Sequence, residues 1–329
     1  MRLLLVAMAL LALGAPAPAW ATDHKPAACA DHTPHKVRFV KVAPGVQLEV
    51  LEFGGSGDPM VLLTGIGDNA HVYDEFAFQF TDFFRVIGIT RRGFGASDKP
   101  AHGYDVRTRA RDDIAVLDHL GIDKAIFVGH SIAGSELSQL GLAYPNRIDK
   151  LVYLDALDRA EAPREELLPP PLTDDDFSSL RASQAAGARF VGNRQPNAAD
   201  CNALLFDRSG RIVGSVTPDE IPAKIRAEAV KAPPTNWQKI RAPRLGVFAP
   251  FTREGRQPYY WYLSPAKQAE FDAAWGPWVA WERRAIGRFA EGNTANTFQL
   301  PDAPHYVYIN NEAEVVRWMW DFLGIPPRS

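Results

Sequence analysis

The sequence is poor in cysteine and contains no apolar run long enough to cross a membrane. Cys29 and Cys201 are the only cysteines among its 329 residues. The longest apolar run, from Leu3 to Leu13, is well short of the roughly 20 residues that a membrane helix requires. Histidines and cysteines with no ligand-like spacing argue against a structural zinc site. We therefore predict no metal, no cofactor and no stable membrane insertion.

The charge pattern argues against a nucleic-acid-binding function. The formal net charge is −3, and basic and acidic residues are interspersed along the chain. Nucleic-acid-binding proteins instead concentrate lysine and arginine on one face or stripe. The sequence therefore predicts no nucleic-acid partner.

The N-terminus is typical of a secretory signal peptide. Arg2 precedes the apolar run, and Ala19-Trp20-Ala21 follows as a small-x-small cleavage site. We predict a signal peptide over 1–21, cleavage after Ala21, and a periplasmic or secreted protein; an uncleaved anchor is the alternative. Export makes a disulfide between Cys29 and Cys201 chemically possible, but the sequence does not show whether they pair.

Alternating strand and helix patterns follow a segment over 22–36 that we predict to be flexible. The residues over 37–53 alternate around Pro44-Gly45 and predict a hairpin of two strands. Apolar strand patterns then alternate with helix patterns, which favours a mostly parallel sheet covered on both faces. The predicted strands are "PMVLLTG", "FRVIGIT", "AIFVGH" and "IDKLVYLDA", and the predicted helices lie near 70–80, 105–119 and 132–143.

The alternation stops after Asp158. Residues 159–241 are rich in proline, alanine and charge and contain no clear strand pattern, so we predict a helical lid or cap insertion. The alternation then resumes with a strand over 243–251, a long helix over 265–288, the strand "TFQL" and a closing helix over 312–323. The predicted core therefore combines 37–158 with 242–325.

A serine lies at the junction of a predicted strand and a predicted helix. The motif Gly129-His130-Ser131-Ile132-Ala133 is small-x-Ser-x-small. Short side chains at both ends allow the tight turn that exposes a serine hydroxyl as a nucleophile. The alternative is that Ser131 only caps the following helix.

The order of these elements, with "GHSIAG" after the fifth strand and "PHYVYINNEAEVVRWMWDFL" near the end, resembles the α/β-hydrolase family. The resemblance implies an α/β fold with a mostly parallel eight-stranded sheet, helices on both faces and a lid. It also implies a serine hydrolase of the esterase or lipase type. His305, in the loop after the last strand, is the implied base, and the N–H groups of Ile66 and Ile132 are the implied oxyanion hole.

The catalytic acid departs from the usual family pattern. Most relatives place an aspartate after the seventh strand, but "VFAPFTREGR" contains only Glu254 there. The sixth strand ends in "LVYLDALD", and a subset resembling pancreatic-type lipases uses the position of Asp155. We therefore assign Asp155 as the acid, with Glu254, Asp158 and Asp302 as alternatives.

These residues predict an exported enzyme that cleaves a small-molecule carboxylic ester through an acyl-enzyme on Ser131. Acyl transfer and cleavage of amide or carbon–carbon bonds are alternatives on the same triad. A non-catalytic binding protein of the same fold is a further alternative, and it predicts that a triad member is missing. The aromatic-rich segment over 259–281 either lines an acyl pocket or belongs to the core.

Overall fold

The predicted hairpin is present over residues 36–54 and forms one edge of the main sheet. The computed structural model describes residues 34–163, 176–179, 181–182, 204–206, 212–215, 220–252 and 260–326. Strands β1 (Lys36–Ala43) and β2 (Val46–Gly54) pair antiparallel. Gly45 turns between them with φ +70°, a left-handed conformation that glycine adopts at little cost.

The main sheet has eight strands and confirms the predicted α/β-hydrolase fold class. Besides β1 and β2, it contains β3 (Asp58–Leu63), β4 (Phe84–Ile89), β5 (Ala125–His130), β6 (Ile148–Leu154), β9 (Arg244–Phe248) and β10 (Thr297–Gln299), whereas β7 (Leu204–Phe206) and β8 (Ile212–Ser215) form a separate pair. The spatial order of the main sheet is β1-β2-β4-β3-β5-β6-β9-β10, with all neighbours parallel except those of β2.

Helices follow most of the parallel strands. They are α1 (Val106–His119), α2 (Ala133–Ala143), α3 (Glu220–Ala229), α4 (Pro265–Ala290), α5 (Val307–Asn310) and α6 (Glu312–Leu323). Asp105 caps α1 by accepting a hydrogen bond from the Thr108 N–H at 3.0 Å, which satisfies one of the amides left open at a helix start. Within the described ranges, no helix combines the length and apolarity needed to span a membrane.

Two local predictions are corrected by the structure. The helix predicted near 70–80 is a pair of 3₁₀ helices, Ala70–Tyr73 and Phe76–Gln79. All four residues of the first helix are buried, as are Phe76 and Ala77 of the second, so the segment lacks the polar face of an amphipathic α-helix. The insertion, predicted to lack strands, contains β7 and β8 as an antiparallel pair; these strands are too short to show a sequence period.

The hydrophobic core lies on both faces of the sheet. Along β5, Ala125 and Phe127 face one apolar cluster, whereas Ile126 and Val128 face the other. A strand buried on both faces is apolar at every position, which explains the continuous apolar runs of the sequence. The predicted signal peptide, Cys29, Cys201 and Glu254 lie outside the described residues.

A buried ionic network joins the loop after β3 to helix α2. Arg91, directly after β4, donates to both carboxylate oxygens of Glu136 at 2.7 and 2.6 Å, and Arg109 of α1 donates to the same carboxylate at 2.6 Å. Arg91 also donates to the carbonyl oxygens of Gly65 at 3.2 Å and Thr64 at 2.9 Å. One guanidinium group therefore holds two segments in a fixed relation.

The charges of this network compensate one another. Burial favours a raised pKa for Glu136, but the guanidinium groups of Arg109 and Arg91 outweigh it and hold the pKa below its usual value. Glu136 is therefore ionised in the folded protein and balances cations that have left water.

We predict that Glu136→Gln destabilises the protein by about 3–5 kcal/mol, because it removes the carboxylate that accepts hydrogen bonds from two buried guanidinium groups. Urea unfolding followed by tryptophan fluorescence measures the change. Glu270→Gln is the matched control, since Glu270 pairs with Lys267 at an exposed site and changes stability by less than about 0.5 kcal/mol. Equal unfolding midpoints for the two variants would contradict the prediction.

Candidate active site

Ser131 occupies a sharp turn between β5 and α2. Its φ of +56° is uncommon for a residue other than glycine and marks local backbone strain. The neighbouring backbones approach closely, because a Cβ atom on Gly129 would lie 2.9 Å from the Cβ atom of Ala133. A Cβ atom on Gly134 would lie 2.5 Å from the carbonyl oxygen of Ala156. The turn therefore requires the small residues that the motif supplies.

The hydroxyl of Ser131 contacts a histidine and does not cap the helix. Helix α2 has Ile132 at its N-cap position, with no side-chain capping hydrogen bond. The Oγ atom of Ser131 instead lies 2.8 Å from Nε2 of His305. His305 follows β10 and directly precedes the turn into α5. The predicted nucleophile and the predicted base are thus within hydrogen-bond distance.

Asp155 completes a hydrogen-bonded line. Its Oδ2 atom lies 2.5 Å from Nδ1 of His305, and its Oδ1 atom accepts a hydrogen bond from the Ala249 N–H at 3.0 Å. The main-chain N–H of Asp155 donates to the carbonyl oxygen of Val247 at 2.7 Å. With the Nδ1 proton in place, His305 donates to Asp155 and accepts from the hydroxyl of Ser131.

The other candidate acids lie elsewhere or are not described. Asp158 accepts hydrogen bonds from the main-chain N–H groups of Ala160 at 3.1 Å and Thr235 at 3.2 Å, so its carboxylate is used in loop structure. Asp302 is exposed. Glu254 lies outside the described residues. Among the described carboxylates considered from sequence, Asp155 is the one in contact with His305.

The two predicted oxyanion-hole residues pack into one small apolar cluster. Ile132 is buried in it and the partly buried Ile66 packs against it. Helix α3 contributes Ile221 and Ile225 to the same cluster, so part of the insertion covers these residues. The side chains of Ile66 and Ile132 therefore belong to the same apolar cluster.

The buried Arg91 also orients the peptide group between Gly65 and Ile66. The C=O and N–H bonds of a trans peptide point in opposite directions, and no described peptide bond is cis. Arg91 donates to the oxygen of Gly65, so the Ile66 N–H points away from the guanidinium group. The ionic network thus helps to fix a predicted oxyanion donor before substrate arrives.

The sequence did not indicate a group of polar residues that supports the histidine loop. His130 lies with Nε2 3.1 Å from the carbonyl oxygen of His305, and the two rings are 4.4 Å apart. The hydroxyl of Tyr306 donates to the carboxylate of Asp68 at 3.1 Å. These residues adjoin the motifs, since His130 precedes the serine and Tyr306 follows the histidine, and that adjacency is the only signal for them.

A small pocket opens around Ser131 and contains two charged residues that sequence reasoning also missed. Glu282 of α4 is 3% exposed and accepts a hydrogen bond from the Phe251 N–H. Arg159 lies over the rings of Trp278 and Trp281 at 5.5 and 5.7 Å. The pocket is lined by Ser131, Asp155, Leu157, Arg159, Phe251, Trp281, Glu282 and His305.

The aromatic residues over 259–281 do not share one environment. Trp281 lines the pocket and donates from Nε1 to the carbonyl oxygen of Ala160 at 3.0 Å. Tyr260 is buried and its hydroxyl donates to Asp272. Trp261 is largely exposed. Neither the acyl-pocket interpretation nor the core interpretation therefore applies to all three residues.

Comparison with curated proteins finds partial matches to several hydrolases and a peroxidase. The chain is 28% identical over 145 residues to 2-(acetamidomethylene)succinate hydrolase of Mesorhizobium japonicum, covering 44% of this chain and 51% of the relative. It is 33% identical over 132 residues to a non-heme chloroperoxidase of Streptomyces lividans, covering 40% and 48%. It is 37% identical over 105 residues to a soluble epoxide hydrolase of a Corynebacterium species, covering 31% and 36%. The chain thus spans about half or less of the length of these relatives.

Comparison with solved structures covers much more of the chain. E-2-(acetamidomethylene)succinate hydrolase aligns with a TM-score of 0.58 and 20% identity over 88% of this chain and 99% of that chain. The enol-lactonase from Burkholderia xenovorans LB400 aligns with a TM-score of 0.57 and 19% identity over 87% and 100%. Similarity at this level of identity establishes the fold.

A family model described as "alpha/beta hydrolase fold" matches residues 58–209. That range holds the turn of Ser131 and the strand end of Asp155, and the solved structures extend the likeness over most of the chain. Residues 58–209 therefore match the α/β-hydrolase family, and the chain has the α/β-hydrolase fold.

Proposed function

We propose that the protein is a serine hydrolase that cleaves a carboxylic ester through an acyl-enzyme on Ser131. The observation that carries the proposal is the line of hydrogen bonds from Ser131 through His305 to Asp155, with contacts of 2.8 and 2.5 Å. A serine hydroxyl is a weak nucleophile unless a positioned base removes its proton, and the base in turn needs an orienting group. All three roles are filled by neighbouring side chains.

The proposed reaction proceeds in two halves. His305 takes the proton of Ser131 as its Oγ atom attacks the ester carbonyl, while Asp155 orients the imidazole and stabilises the imidazolium. The N–H groups of Ile66 and Ile132 donate to the oxyanion, and such donors contribute about 3 kcal/mol each. His305 then protonates the departing alcohol, and a water molecule activated by His305 releases the acid.

The residue at the turn separates this proposal from other reactions of the superfamily. Branches that open epoxides or cleave carbon–halogen bonds carry aspartate at this position, as the family resemblance implies, whereas this chain carries Ser131. The similarity to a soluble epoxide hydrolase covers about a third of each chain and therefore transfers no activity.

The remaining catalytic alternatives differ from ester hydrolysis in the molecule that accepts the acyl group or in the bond that is cleaved. Acyl transfer to an alcohol and cleavage of an amide or carbon–carbon bond use the same three residues. A non-catalytic binding protein predicts that an acid is missing near His305, and the position of Asp155 argues against that alternative. Export remains a prediction from the sequence.

We predict that the protein hydrolyses chromogenic esters of short or medium acyl chains and that Ser131→Ala lowers kcat at least about 10³-fold, because the nucleophile is lost. Release of p-nitrophenol measures the rates. The matched control is Ser135→Ala, which changes a buried serine one turn along the same helix and retains most of the turnover. The absence of turnover with every such ester would refute ester hydrolysis.

We predict that Asp155→Asn lowers kcat about 10²–10⁴-fold, because an amide cannot stabilise the imidazolium and favours the wrong tautomer of His305. Asp158→Asn, in the loop after the same strand, is the matched control, and its kcat stays within a few-fold of that of the parent. Steady-state kinetics with circular dichroism as a check on folding distinguishes the two. Normal turnover in Asp155→Asn would assign the acid elsewhere.

A further inference from the structure

A second cluster of ionisable side chains lies outside the pocket around Ser131. His35 directly precedes β1, and His71 and Asp74 lie on and directly after the 3₁₀ helix Ala70–Tyr73. One potential ligand atom from each lies within 4.8 Å of the other two, a grouping that no other set of described residues matches. Their side chains are 1%, 8% and 1% exposed, respectively. None of the three lines the pocket around Ser131.

The separations within this cluster fit metal ligands better than hydrogen-bond partners. Asp74 has Oδ1 at 3.5 Å from Nδ1 of His35 and Oδ2 at 3.4 Å from Nδ1 of His71. Direct hydrogen bonds between such atoms are about 2.7–3.2 Å long. Two ligand atoms bound at ~2.1 Å to a tetrahedral ion stand about 3.4 Å apart. The two contacts therefore match the edges of a coordination polyhedron.

The carboxylate of Asp74 faces the imidazoles of His35 and His71 at more than hydrogen-bond length. Both of its oxygen atoms are buried, and neither accepts a hydrogen bond within the described part of the chain. A buried carboxylate is costly unless hydrogen bonds or a cation compensate it. A bound divalent cation would supply that compensation.

The carboxylate of Glu49 faces the Nε2 atom of His71, on the side of the ring away from Asp74. The Nε2 atom of His71 lies 3.7 Å from Oε1 of Glu49, and Oε2 of Glu49 accepts a hydrogen bond from the Thr90 hydroxyl at 2.7 Å. Metal-binding histidines usually present their second nitrogen to a carboxylate or carbonyl, which fixes the ring orientation. Glu49 occupies that position relative to a metal bound at Nδ1.

We propose that His35, His71 and Asp74 bind one divalent transition-metal ion, with Zn²⁺ as the preferred ion, at a site separate from the proposed catalytic residues. Imidazole nitrogen and carboxylate oxygen are ligands that Zn²⁺ favours. The site differs from the expectation of no metal because its ligands come from distant parts of the sequence. Bound metal joins the segment before β1 to the 3₁₀ helix that follows the Ile66 loop.

The test is Zn²⁺ binding to the untagged full-length protein after removal of metal with EDTA. Calorimetric titration gives stoichiometry and affinity, and thermal unfolding gives the change in Tm. The variants are His35→Gln and His71→Gln, and the control is His119→Gln, which changes an exposed histidine in the last turn of α1. His35 lies outside the regular elements, so its variant keeps the test valid if His71→Gln fails to fold.

The proposal predicts one high-affinity Zn²⁺ per chain and a raised Tm in the parent and in His119→Gln. Each ligand variant binds that Zn²⁺ at least tenfold more weakly and shows a smaller rise in Tm. The absence of Zn²⁺ binding in the parent overturns the proposal. Equal affinity in His35→Gln and the parent also overturns it, because the ion then binds elsewhere.

Discussion

The backbone turn at Ser131 is the constraint on which the site depends. A left-handed conformation at a serine is unfavourable by itself, and it persists because the strand before it and the helix after it are both held by packing. Gly129 and Gly134 permit the close approach of helix α2 to β5 and to the end of β6. The same edge of the parallel sheet carries Asp155, which also has a positive φ, +47°. Ser131 and Asp155, the proposed nucleophile and acid, are therefore both strained residues at strand ends, and His305 contacts both from the loop after β10.

The buried ionic network around Arg91 holds the loop after β3 against helix α2, next to the turn at Ser131. A buried ion pair is not in general a source of net stability, but this one fixes geometry. The carboxylate of Glu136 lies in the first turn of the helix that follows the nucleophile, and Arg91 links it to the carbonyl oxygen of Gly65. The Ile66 N–H and the turn at Ser131 are thereby held in one rigid network. In the proposed mechanism, a donor that is oriented before the reaction needs no rearrangement when the oxyanion forms.

Local sequence patterns predicted the main-sheet strands well because each is a continuous apolar run between turn residues. A local motif indicated Ser131, whereas the resemblance to α/β-hydrolases implied His305 and Asp155, and the structure brings all three into contact. Local patterns failed where long-range packing decides the outcome. Every residue of the 3₁₀ helix Ala70–Tyr73 is buried, so no polar face marks its period, and Glu282 lines the pocket from within the long helix α4. No local pattern distinguishes such positions from an ordinary buried face.

The central claim is that Ser131 is an activated nucleophile, and labelling with a fluorophosphonate tests it most directly. The reagent reacts covalently with serine residues activated by a neighbouring base. Mass spectrometry of the intact protein and of its peptides should find one adduct per chain, located on Ser131 and absent from protein unfolded in urea before labelling. An unlabelled folded protein, or an adduct on another residue, would contradict the account.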